Sequence, residues 1–148
     1  MLLFGRNRSR RGLASALIGE IAAVIDGMER FEEVRKLEDM EAGAEENLGD
    51  LGAFTMPRFS VYESNADRLD LFDASVQRQI AYFFTSAGSL AGHLHVLAAT
   101  KKESTESCKQ HAIDAQKEIN GLSELGIDLL RDLRKVVSKK QPATISRA

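Results

Sequence analysis

The sequence predicts an all-α fold: an antiparallel three-helix bundle of coiled-coil-like character, with a structured loop and a short helix between its first two long helices. Three observations carry this reading. Long stretches repeat apolar residues at alternating steps of three and four; the 148 residues include only two prolines and no tryptophan; and 28% of the chain is charged, with Glu, Lys and Arg prominent. A chain of this length fits one domain with a real core. Its predicted organisation is a basic N-terminal arm over 1–12, a helical bundle over 13–140 and a flexible tail over 141–148.

The first long helix is expected from near Arg11 to about Glu45. Leu13, Leu17, Ile21, Val24, Met28 and Phe31 recur at the spacing of one helical face, and Ile18 and Ile25 widen the stripe beyond what a two-stranded seam needs. Past Phe31 the pattern drifts through Val34, Leu37 and Met40 and dissolves around Gly43, Gly49 and Gly52, which ends the helix between Glu41 and Asn47.

Residues 48–59 have no period, yet they carry Leu51, Phe54, Met56 and Phe59. So many large apolar side chains imply an ordered loop lying on the core. Ser64 with Asp67 three residues on resembles a capping box that opens a short helix through Leu71, and Asp73 is placed to cap the next long helix.

That second helix, Asp73 to Thr100, has the cleanest pattern: Val76, Ile80, Phe83, Ala87, Leu90, Leu94 and Leu97 form a heptad seam. Residues 80–100 carry no formal charge, but Thr85, Ser86, Ser89, His93 and His95 suit a buried central helix better than a membrane span. Ala87, Gly88, Ala91 and Gly92 would then let a neighbouring helix approach closely. The third helix, Ser104 to Lys139, repeats the seam with Cys108, Ala112, Ala115, Ile119, Leu122, Gly126, Leu129, Leu133 and Val136. Matching seams imply antiparallel partners, with a turn near 101–107 where Thr100 and Glu103 form a second capping box. One uninterrupted helix from Ala74 to Lys139 is the alternative, disfavoured by its length.

At the junction, Phe59, Val61, Tyr62, Glu63, Asn65, Ala66, Asp67, Leu69 and Leu71, followed by a helix with Val76, Tyr82 and Phe83, resemble a motif of uncharacterised bacterial helical proteins. The resemblance implies a single N-terminal membrane span, a few arginines, a helix, this motif and two more helices. Here only Met1 to Phe4 precede the arginines, far short of the roughly 20 apolar residues that a span requires. The span is either absent or trimmed away. The resemblance carries no activity, and bears on fold more than function.

Charge is unevenly spread although the net value is only -2. Arg6, Arg8, Arg10 and Arg11 stand in the first twelve residues with no acid among them, eleven acids face three bases over 20–50, and ten bases face seven acids from Lys101 onward. The basic arm reads as membrane-proximal, against an anionic surface, or as a plain solvated tail; the acidic stretch beside it disfavours nucleic acid. A single cysteine and no secretory signal point to a cytoplasmic location, with the inner face of the cell membrane as its refinement.

No catalytic constellation is present: the chain lacks a glycine-rich phosphate loop and a nucleophile elbow, and Cys108 falls on an apolar seam. Metal is not expected either, since His93 and His95 point about 200° apart on a helix and Cys108 with His111 lacks further ligands. No cofactor is predicted. Tyr62, Glu63, Asn65, Asp67 and Arg68 are the candidate ligand-binding residues, with capping and docking of the connection as their structural reading. The expected function is non-enzymatic, a protein–protein interaction or self-association module acting as a homodimer. A small-molecule sensory bundle with its site at 59–71 is the alternative.

Overall fold

A computed structural model describes residues 2–41, 56–100 and 105–139. Its elements are α1 (Leu2–Glu41), a single-turn α2 (Ser60–Ser64), a short 3₁₀ helix η1 (Ala66–Leu71), α3 (Ala74–Thr100) and α4 (Thr105–Ser138). Among the described residues there is no strand. The all-α expectation holds, with helices 27 and 34 residues long where the two heptad seams lie.

Chain direction follows from side-chain pairs. His93 of α3 meets Glu118 of α4, and Phe83 lies against Gly126, so α4 descends as α3 ascends. Arg6 reaches Asp70 just ahead of α3, while Ile25 converges with Phe83 on Gly126. Hence α1 and α3 run parallel and α4 runs against both. Since α4 packs along α3 rather than continuing it, the single-helix alternative is excluded.

Periodicity placed the core well. Leu13, Leu17, Ile21, Val24 and Met28 of α1, Val76, Ile80, Phe83, Ala87, Leu90 and Leu94 of α3, and Ala115, Ile119, Leu122, Leu129 and Leu133 of α4 are all buried. Such burial contributes roughly 1.5–3 kcal/mol for each large aliphatic side chain and is the main force closing the bundle. Gly126 sits where the three helices crowd together: a Cβ there would lie 2.8 Å from Ile25 Cδ1 and 2.9 Å from the Phe83 ring.

The segment from Met56 to Asp73 runs as a strap along α1 and α3. Met56, Phe59, Val61, Tyr62, Leu69 and Leu71 pack on the core, and Phe72 is buried within it. Asp73 caps α3 as its position suggested, its Oδ1 accepting the Val76 N–H at 3.0 Å. Gln77 Nε2 donates to the Phe72 carbonyl and steadies the same turn.

Four expectations require correction. Ser64 and Asp67 form no capping box: Ser64 ends α2, and the residue that opens η1, Asn65, makes no side-chain cap. The basic stretch of the first twelve residues is helical from Leu2 and continuous with α1, because Ser9, Arg10 and Arg11 already begin to be covered and the helix gains packing there. Among the described residues no helix packs against Gly88 and Gly92; both are exposed with open space where a Cβ would stand, since they lie off the seam that α4 covers. For the same reason α3 is not buried on all sides. The side chains of Phe31, Val34, Leu37, Met40, Leu97, Cys108 and Ala112, the Thr100–Glu103 cap, Leu51, Phe54 and the tail 141–148 lie outside the described residues.

Candidate functional site

Glu20 organises the junction. It is buried on the apolar stripe of α1, where a carboxylate must be hydrogen-bonded to remain. Its Oε1 accepts the Val61 N–H and its Oε2 the Tyr62 N–H, both at 2.9 Å. These are donors of the first turn of α2, which Phe59 leaves without a side-chain cap. A side chain of α1 therefore caps a helix some forty positions away.

With Tyr62 anchored at its backbone, its ring stacks on Phe84 at a centroid distance of 4.4 Å and an interplanar angle of 10°. Phe59 meets the same ring edge-on at 5.2 Å, and Phe83 meets it at 5.2 Å and 89°. Asn65 Nδ2 donates to the Val61 carbonyl at 2.8 Å, and Asn65 Oδ1 accepts from Arg68 at 3.1 Å. Glu63 and Asp67 point to solvent. Of the five candidate ligand residues, then, Tyr62 and Asn65 hold the strap to the bundle, Arg68 braces Asn65, and Glu63 and Asp67 are exposed.

The four arginines of α1 gather with other bases. Arg6 Nη2 donates to the Asp70 carbonyl at 3.3 Å, Arg8 is exposed, and Arg10 and Arg11 are half-buried. Because α4 runs against α1, exposed Arg131, Arg134, Lys135 and Lys139 stand at that same end. Asp67, Asp70, Asp73, Asp128 and Asp132 share it, and two of them are in local pairs, Asp128 with Arg131 at 2.8 Å and Asp132 with Lys135 at 3.7 Å.

An open feature among the described residues is a groove between α3 and α4. It has room for about 320 Å³ and is lined by Tyr82, Ser86, Ser89, Glu118, Gly121, Leu122 and Leu125. Its continuation past Tyr82 is a wide, mainly apolar slot walled by Arg78, Gln79, Ala81, Thr85 and Leu125. Tyr82 stands between the two, 66% exposed. At the far end Glu118 closes on His93, Nδ1 to Oε1 2.7 Å. The outer residues Arg78, Tyr82, Thr85, Ser89, Gly92 and Val96 of α3 step by four and three and are all exposed. They form a second stripe, about opposite the buried seam.

Comparison of the chain with protein-family models, with curated proteins and with solved structures finds no match in any of the three. Among the described residues no group of three or more His, Cys, Asp and Glu is placed to hold a metal ion. Among the same residues no helix is long and apolar enough to cross a membrane.

Sequence reasoning missed Glu20, Phe84 and the groove. Glu20 had a signal: it stands three after Leu17 and four before Val24, an acid inside an apolar stripe. The groove had one too, an uncharged helix whose apolar seam covers only one side.

Proposed function

We propose that this chain is a non-enzymatic helical module for protein–protein association, self-association included, working through coiled-coil-like packing of exposed helix faces. The observation that supports this best is the outer stripe of α3 with its adjoining groove. It is uncharged from Gln79 to Gly92, bears an exposed tyrosine, and ends in an open hollow. Exposed surface with few charges and an aromatic anchor is what association surfaces favour. The rival small-molecule site at 59–71 is less well supported, because the Asn65 amide is already bonded to the Val61 carbonyl and to Arg68.

Solution mass by light scattering over a wide concentration range tests the reading. A dimer, or a mass that rises with concentration, supports association. A monomer that also retains no protein partner in cross-linking leaves the module without its function.

A second reading concerns where it works: the cytoplasmic face of a membrane, which the likeness to anchored helical proteins suggests. The basic end formed by Arg6, Arg8, Arg11, Arg134, Lys135 and Lys139 favours it, since each base near an anionic surface is worth about 1 kcal/mol. Co-sedimentation with vesicles containing phosphatidylserine, lost at high salt and absent with neutral lipid, is the expected result. Equal recovery with both lipids removes this reading.

A further inference from the structure

The face that carries Tyr82 holds a projection, a hollow and two charges in an order that decides which partner fits it. Resting on the association reading above, we propose that its occupant is a second copy of this chain, docked antiparallel along α3 about a two-fold axis near Thr85.

Arg78 and His93 bound an uncharged stretch of α3. Arg78 makes no ion pair among the described residues, whereas His93 holds Glu118 beside it. One end of the face thus presents a free cation and the other a carboxylate whose remaining lone pairs can accept further bonds. Asp128 and Asp132, lower on α4, are in local pairs with Arg131 and Lys135. Between the ends Tyr82 projects, and the hollow walled by Ser86, Ser89 and Gly121 lies next to it.

A two-fold axis makes residue i meet j and residue j meet i. With the axis midway between positions 78 and 93, Arg78 comes to the His93–Glu118 pair of the partner subunit. Tyr82 then comes to Ser89 of the partner subunit, at the mouth of the hollow. Each contact occurs twice. The hollow is large enough: an apolar cavity of about 150 Å³ accepts a benzene ring, and this one offers about 320 Å³. Gly88, Gly92 and Gly121 have nothing within 4 Å of a built Cβ, so backbone can approach there without collision. A parallel arrangement would instead set Arg78 against Arg78 and Glu118 against Glu118. The charges therefore select the antiparallel dimer.

The test uses the full chain, with mass measured by light scattering across concentration and folding checked by thermal melting. Tyr82→Glu is expected to weaken dimerisation at least a hundredfold with unchanged helicity, since Tyr82 is an exposed residue. Should Tyr82→Glu fail to fold, Tyr82→Ser serves the same purpose. Arg78→Glu and Glu118→Arg are each expected to weaken the dimer about tenfold or more, and the double variant to recover most of that loss. A wild-type dimer indifferent to Tyr82→Glu, or a double variant no better than the singles, overturns this geometry and leaves the association reading standing. A wild-type monomer at every concentration overturns this proposal and self-association together.

Discussion

The carboxylate of Glu20 and the backbone N–H of Tyr62 meet at 2.9 Å, and through that contact α1 holds the strap that runs down the bundle. Hydrogen bonds to a charged group contribute about 1.5–3 kcal/mol, and a donor left unpaired costs a comparable amount. Glu20→Gln keeps the shape but turns an amide NH₂ toward one of the two N–H donors. It should lose about 1.5–3 kcal/mol in urea unfolding, with faster hydrogen exchange at Val61 and Tyr62 than at the α3–α4 seam. Exchange that rises equally everywhere would show that Glu20 supports the bundle as a whole rather than the strap.

That contact also shows what the sequence disclosed and what it hid. The seams were legible because burial on a helix imposes a period on side-chain polarity, and Leu17, Ile80 and Leu129 obey it. Glu20 breaks the period, but its partners are backbone groups far along the chain, which carry no residue-specific signal. Phe84 was passed over for Phe83 because one seam has room for one of two neighbours. Both are buried, since the strap covers a second flank of α3 through Phe59 and Tyr62. Of the five polar residues proposed for ligand binding, Asn65 bonds the Val61 carbonyl and accepts from Arg68, contacts that composition alone does not disclose. A cluster of donors and acceptors looks the same whether it faces a ligand or its own backbone.

Glycines of one helical chain should respond in opposite directions. Gly19 is exposed on α1 with nothing within 4 Å of a built Cβ, so Gly19→Ala should stabilise by about 0.5–1 kcal/mol through helix propensity. Gly126→Ala gains the same propensity but drives a methyl into Ile25 and the Phe83 ring, an overpacking cost of about 1–3 kcal/mol. Its net effect should be a lower melting temperature. If both variants gain stability alike, the three helices do not crowd at Gly126.

Gln79 offers a gain of another kind. Its Oε1 is buried with no hydrogen-bond partner among the described residues, and the residue lies half-covered beside Leu125 and Tyr82. An unsatisfied buried acceptor costs about 1–3 kcal/mol. Gln79→Met keeps length and flexibility while removing the polar atoms, and should raise the midpoint of urea unfolding without changing its slope. A fall in the midpoint would mean that the amide is satisfied in solution.

The sharpest check on the helix phases compares two residues of α4. Leu129 is fully buried, whereas Ile127, two positions earlier, is 54% exposed. Residues two apart on a helix point about 200° from each other, so the same substitution meets opposite surroundings. Leu129→Asp removes a core side chain and asks a carboxylate to sit unpaired among apolar groups, a cost of several kcal/mol. That is a large part of the roughly 5–15 kcal/mol by which a domain is stable, and the variant should be unfolded at room temperature by circular dichroism. Leu90→Asp on α3 should behave alike, because Leu90 is as deeply buried. Ile127→Asp places its charge in water and should melt within a few degrees of the parent. Equal melting of the Leu129 and Ile127 variants would require α4 to be rotated about its axis, and the α3–α4 groove would be lost with that rotation.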